Sequence, residues 1–164
     1  MTSEERRLLL ESWQRLHPHA ERLAHVFFER LFALEPDCRQ IFAGTSLETQ
    51  FLQFAHMLTE LTVLQVDDPA RLVQMAAELG RRHAAYGVRD DHYHAFDAAL
   101  ATMLDSAPAS SGTPEVRAAW REAYELIAMI MRRAAARPTR LPTPLPFPAR
   151  GTAAPDDSPS TRND

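Results

Sequence analysis

Leu79-Gly80-Arg81-Arg82-His83-Ala84-Ala85-Tyr86-Gly87-Val88 sets one histidine near the end of a helical stretch that Gly87 then closes. Gly80, three residues before His83, and Ala84, one after it, are small enough to let a flat ligand come close to the helix beside the imidazole. A helical position also lets one ring nitrogen reach back to the carbonyl of residue 79. Such a bond fixes the tautomer and aims the other nitrogen outward, where a metal could take it. The other six histidines lack this setting. His17 and His19, like His92 and His94, stand two apart, which puts their rings on nearly opposite sides of a helix and not at one metal. No H-E-x-x-H is present, and no Glu-x-x-His pairs suggest a di-iron bundle.

Outward from that segment, apolar residues recur at helical spacing through residues 1–137. The series runs Leu9, Trp13, Leu16; Leu23, Phe27, Leu31, Leu34; Phe96, Leu100, Met103; and Val116, Trp120, Ala123, Ile127, Ile130. No stretch sustains a period of two. Helix starts are expected at Thr2 or Ser3 with Glu4 and Glu5, at Asp67-Asp68-Pro69, at Asp90-Asp91, and at Pro114-Glu115 after a Ser/Gly loop. Breaks are expected at Pro18, at Glu35-Pro36-Asp37, at Gly44-Thr45-Ser46 and at Gly87. Six or seven helices in one all-α domain follow. From Pro138 onward the chain changes character: seven of its twelve prolines lie there, alternating from 142 to 148. Alternating prolines remove backbone donors and favour polyproline II, so 138–164 reads as a disordered tail, with a docking segment for a proline-recognising partner as the lesser reading.

Composition narrows the chemistry. The 164 residues carry a net charge of −4, which gives no pull toward nucleic acid or an anionic membrane. All 18 basic residues are arginine. Without lysine there is no Schiff base with pyridoxal phosphate and no P-loop lysine. The five glycines never form G-x-G-x-x-G, and the single Cys38 excludes an internal disulfide, a cysteine-built zinc cage and covalent C-x-x-C-H haem attachment. Charge at Glu4 to Arg7, where a signal peptide needs an apolar run, points to a cytoplasmic protein.

Taken with Phe27-Phe28-Glu29-Arg30-Leu31-Phe32-Ala33-Leu34-Glu35-Pro36 and Ile41-Phe42, the His83 segment resembles a bacterial single-domain globin. The globin domains of flavohaemoglobins are the nearest likeness, and neuroglobin a more distant one. The likeness runs in order over about 4–135, including Tyr93 and Val116-x-x-x-Trp120-x-x-x-Tyr124. It implies a three-over-three helical sandwich around one non-covalent haem b. His83 matches the proximal iron ligand, and Phe42 the phenylalanine that stacks on the porphyrin. Val88, Phe96 and Leu100 match the proximal wall, where Tyr93 is expected to contact His83.

On the distal side two registers are open. Gln50 with Phe54 fits the family's glutamine and aliphatic pair, while counting back from Asp67-Asp68 gives Phe51 with Ala55. The first is favoured, because an amide can donate to bound oxygen and Phe51 cannot. At about 100° per residue, His56 lies about 240° from Gln50 and about 140° from Phe51, so in either register it is expected to point away from the iron.

Two departures from the family pattern bear on function. Phe28 stands where flavohaemoglobins have a distal tyrosine, and Ala135 lies near the position of their proximal glutamate. The first loss removes a hydrogen bond to ligand, about 1–2 kcal/mol in a dry pocket. The second makes the histidine less able to push electrons toward O–O cleavage. The resemblance therefore implies reversible binding of O2, and of NO or CO. The alternatives are nitric oxide dioxygenation with a separate reductase, a haem-based gas or redox sensor, and a haem-free helical interaction module. His83 and Phe42 speak against the last.

Overall fold

A computed structural model describes residues 1–44, 46–108 and 112–136. The expected tail from 138 onward, and Ser110 and Ser111 of the expected loop, lie outside the described residues. Seven α-helices and one 3-10 turn make up the described chain: α1 Ser3–Leu16, the 3-10 turn His17–His19, α2 Ala20–Leu34, α3 Cys38–Ile41, α4 Leu47–Asp67, α5 Pro69–Ala85, α6 Asp90–Asp105 and α7 Pro114–Ala135.

Local chemistry sets most of these limits. Thr2 caps α1 in a reciprocal capping box with Glu5, supplying acceptors for two backbone N–H groups that the first turn leaves unpaired. Ser46, Asp68 and Thr113 cap α4, α5 and α7 by accepting from Thr49, Arg71 and Val116. Each such cap contributes about 1 kcal/mol. Pro69 and Pro114 occupy first turns, where the missing N–H costs nothing. Pro18 does not open a gap between α1 and α2. It tightens the chain into the 3-10 turn and α2 continues at once. Arg89 is the N-cap residue of α6, with Asp90 and Asp91 in its first turn, one position from where the aspartates were expected to cap. Gly87 ends the α5 region at φ +82°, a left-handed conformation that favours glycine.

The helices form a three-over-three sandwich, with α1, α4 and α5 against α2, α6 and α7. The two most extensive seams join α5 to α7 and α2 to α6. Two buried tryptophans anchor α1: Trp13 donates to the Thr59 hydroxyl on α4, and Trp120 of α7 donates to Ser12, each at 3.0 Å. Ser12 is fully buried and passes its own hydrogen to the Leu9 carbonyl, so no polar atom of the trio is stranded. At the α5–α7 seam a Cβ on Gly80 would fall on the backbone of Met131, so the two helices meet with no side chain between them at that point.

Candidate functional site

A cavity of about 690 Å³ lies inside this sandwich, bordered by residues of all seven α-helices. Its walls are chiefly apolar and aromatic, and its volume falls in the range of small-molecule and cofactor sites. The cavity is bordered by every residue proposed from sequence: Phe28, Phe42, Gln50, Phe54, His83, Val88, Tyr93, Phe96 and Leu100. Phe51 and Ala55, the other distal register, do not border it. Phe51 is buried elsewhere, packing on His25 with ring centroids 4.3 Å apart.

His83 is the one imidazole in the cavity wall set up as a donor ligand. Its Nδ1 lies 3.0 Å from the Leu79 carbonyl, the i−4 bond expected of a helical position. A carbonyl only accepts, so Nδ1 carries the hydrogen and the lone pair is on Nε2. Burial, reinforced by the Arg82 charge, pushes its pKa below the ordinary histidine value, against a smaller opposing effect of the Leu79 carbonyl. The neutral ring, the form a metal takes, is therefore favoured in the fold. After the helix, the N–H groups of Tyr86 and Val88 both return to the His83 carbonyl, at 3.1 and 3.0 Å.

Opposite His83, the wall from α2, α3 and α4 is built of rings. Phe28 meets Phe42 and Phe54 edge to face, with centroids 5.4 and 5.6 Å apart, and Phe27 stacks on Phe54 at 4.3 Å. Gln50, almost fully buried, donates its amide to the Phe42 carbonyl at 3.1 Å and so ties α4 to the end of α3. Sequence reasoning gave this amide a role toward ligand only. Leu58 and Leu61 of α4, which were not singled out, and Tyr124 of α7, noted only as part of the family likeness, also border the cavity. The first two extend the helical spacing of Phe54, which was the available signal. His56, expected to point away from the iron, also borders the cavity. Its side chain is 72% exposed and sits 3.7 Å from Glu60, which places it at the rim.

Behind His83, Tyr93 makes no hydrogen bond to it among the described residues, and the expected contact is absent in that form. Arg132 of α7 lies over the Tyr93 ring, 4.7 Å from its centre, and pairs with Asp90. Tyr124 donates to the Tyr93 carbonyl at 2.6 Å and stacks on Phe96 within 5° of parallel. A cation, not a carboxylate, thus faces Tyr93 from α7.

The donor chemistry fits a haem: one neutral imidazole with its lone pair presented, aromatic walls for a flat macrocycle, and Arg82 at the same cavity to meet carboxylate groups. No helix among the described residues is long and apolar enough to cross a membrane.

Comparison with known proteins gives the same direction. The profile of the globin family matches residues 25–131. The chain is similar to the anaerobic nitrite reductase NSHB5 of Oryza sativa subsp. indica, 27% identical over 129 residues that cover 76% of this chain and 89% of the relative. It is also similar to the anaerobic nitrite reductase HBII of Casuarina glauca, 27% identical over 143 residues, 79% of this chain and 89% of the relative. Both relatives are plant proteins, whereas the sequence pointed to a bacterial single-domain globin similar to the globin domains of flavohaemoglobins. The match stands at the level of the family.

Proposed function

The chain belongs to the globin family, and from that premise we propose that it is a haem-binding protein that reversibly takes up O2, with His83 as the protein ligand to the iron. The bonded Nδ1 of His83, with Nε2 left to the apolar cavity, is the observation that carries this reading. Haem, when bound, would supply an iron able to take a diatomic gas. The chain's own residues do the rest. Phe42, Val88, Phe96 and Leu100 hold the macrocycle, Leu79 orients His83, and Phe28 and Phe54 keep water from the gas. Gln50 is the amide donor on that side. We assign haem b, since the chain has no attachment cysteines for a covalent form. NO and CO belong to the same proposal as neutral diatomic ligands. So do the bacterial single-domain type, on His83 to Val88 with Tyr93, a cytoplasmic setting, and the division into a globin domain over 1–137 with a separate tail.

The names of the two relatives favour a second reading, reduction of nitrite. The wall opposite His83 weighs against it, because an anion loses more hydration than a neutral gas on entering a pocket of Phe28, Phe54 and Leu58. Nitric oxide dioxygenation with a separate reductase, and gas sensing, rest on the resemblance alone.

Haem loading tests the main reading. His83→Ala should lose most haem at stoichiometric loading, measured as the pyridine haemochrome, while His56→Ala retains it. Acid-acetone should extract the group completely. Equal retention by the two variants removes the assignment of His83.

A further inference from the structure

At the edge of the cavity, which Cys38 and His92 border, one cluster of polar side chains joins two distant parts of the chain. Asp37, ahead of α3, accepts from Arg89 Nη2 at 2.7 Å, across 52 residues of sequence. Its other oxygen lies 3.4 Å from Nε2 of His92, a side chain only 5% exposed. His92 Nδ1 in turn accepts from the Arg89 backbone N–H at 3.2 Å. The Arg89 side chain is therefore bonded directly to Asp37, while the buried imidazole bonded to the residue 89 backbone faces the other carboxylate oxygen without a hydrogen bond to it.

With Cys38, the cluster has the donor types of a metal site, and these atoms lie within 4.8 Å of one another. Its hydrogen bonding argues against that use. His92 Nδ1 receives an N–H, so its lone pair is there and its hydrogen is on Nε2, facing Asp37. The Cys38 thiol is pushed up to about 11 by burial and by the charges of Asp37 and Glu35, so at neutral pH it is not a thiolate.

What the cluster does hold is the turn behind His83. The Val88 N–H bonds to the His83 carbonyl at 3.0 Å, and Gly87 at φ +82° sends the chain back over the end of α5. Residues 88 and 89 thus sit between His83 on one side and Asp37 on the other. Asp37 is also five residues before Phe42, which Gln50 holds by its carbonyl. We propose that Asp37 is a positioning residue for His83: by clasping Arg89 and His92 it fixes the turn that sets how far, and at what tilt, the imidazole reaches toward the haem iron. This rests on the reading of His83 as the iron ligand.

The test uses the haem-loaded full chain. The iron–histidine stretching band of the ferrous protein is recorded by resonance Raman, together with haem transfer to excess apomyoglobin and thermal melting. Asp37→Ala and Arg89→Gln should each move the band to lower frequency and broaden it, and should speed haem transfer by about 10–100-fold, as loss of a partner that orients a metal ligand does. Arg89 is half exposed, so its variant carries the test if Asp37→Ala does not fold. The double variant should match Asp37→Ala, since that change already removes both the bond to Arg89 and the contact with His92 and leaves Arg89→Gln nothing further to break. Arg117→Gln, which breaks the surface pair with Asp105, should leave the band in place. A lowered melting temperature with the band unmoved, or additive band shifts in the double variant, overturns the proposal. A wild-type band in His83→Gly overturns the ligand reading instead, a separate failure.

Discussion

Phe28 meets the cavity as one ring in a packed set, edge to face with both Phe42 and Phe54. A tyrosine there would add a hydroxyl on the wall opposite His83. If that hydroxyl donates to O2 held in the pocket, Phe28→Tyr should slow O2 release by roughly tenfold for a bond contributing about 1.4 kcal/mol, while CO release changes little. Gln50→Leu should speed O2 release and also free the Phe42 carbonyl, which that amide now engages. Stopped-flow O2 dissociation from the ferrous protein measures both. An unchanged rate in Gln50→Leu, with a changed one on substituting Phe51, moves the distal assignment by one position. At this scale the sequence was legible where the relevant partner is near in the chain. His83 and the Leu79 carbonyl are four residues apart, and the bond was foreseeable. Ser12 reads as a polar letter in an apolar stripe, and only the fold brings Trp120, 108 residues on, to donate to it. Asp37 with His92 was hidden for the same reason.

Among the helices, caps and prolines wrote most boundaries into the sequence. The exceptions are instructive. Pro18 looked like a break because proline lacks an N–H, yet three residues of 3-10 geometry absorb it and the direction of the chain changes without a loop. The aspartates at 90 and 91 looked like caps, and Arg89 holds that place because His92 accepts its N–H. Gly80 carries the largest consequence for an element. Adding a methyl group there sets Cβ against the Met131 backbone, which no rotamer change relieves. Gly80→Ala should therefore cost about 1–3 kcal/mol of stability in urea unfolding and weaken haem retention, because α5 must shift with His83 on it. Thr113→Ala, which removes only the cap of α7, should cost about 1 kcal/mol and leave haem retention unchanged.

For the molecule as a whole, no described residue later than Met131 borders the cavity, and the globin match ends at the same residue. A chain ended after Ala136 should then keep the haem spectrum and the CO rebinding rate of the full chain, measured by flash photolysis. A shifted spectrum would mean that 138–164 reaches the pocket. The all-α domain was readable from periodicity, since its apolar stripes must be covered, whereas the three-over-three arrangement came only from the resemblance. The α5–α7 seam was not readable, because a glycine in a helix says nothing of what lies against it. That seam has a mechanical meaning. Where two helices touch through side chains, rotamer changes act as a compliant layer, and one helix can roll while its neighbour stays. At Gly80 and Met131 no such layer exists. A displacement of α5 driven from His83 is transmitted undamped to α7 one turn before its end, as through a rigid bearing.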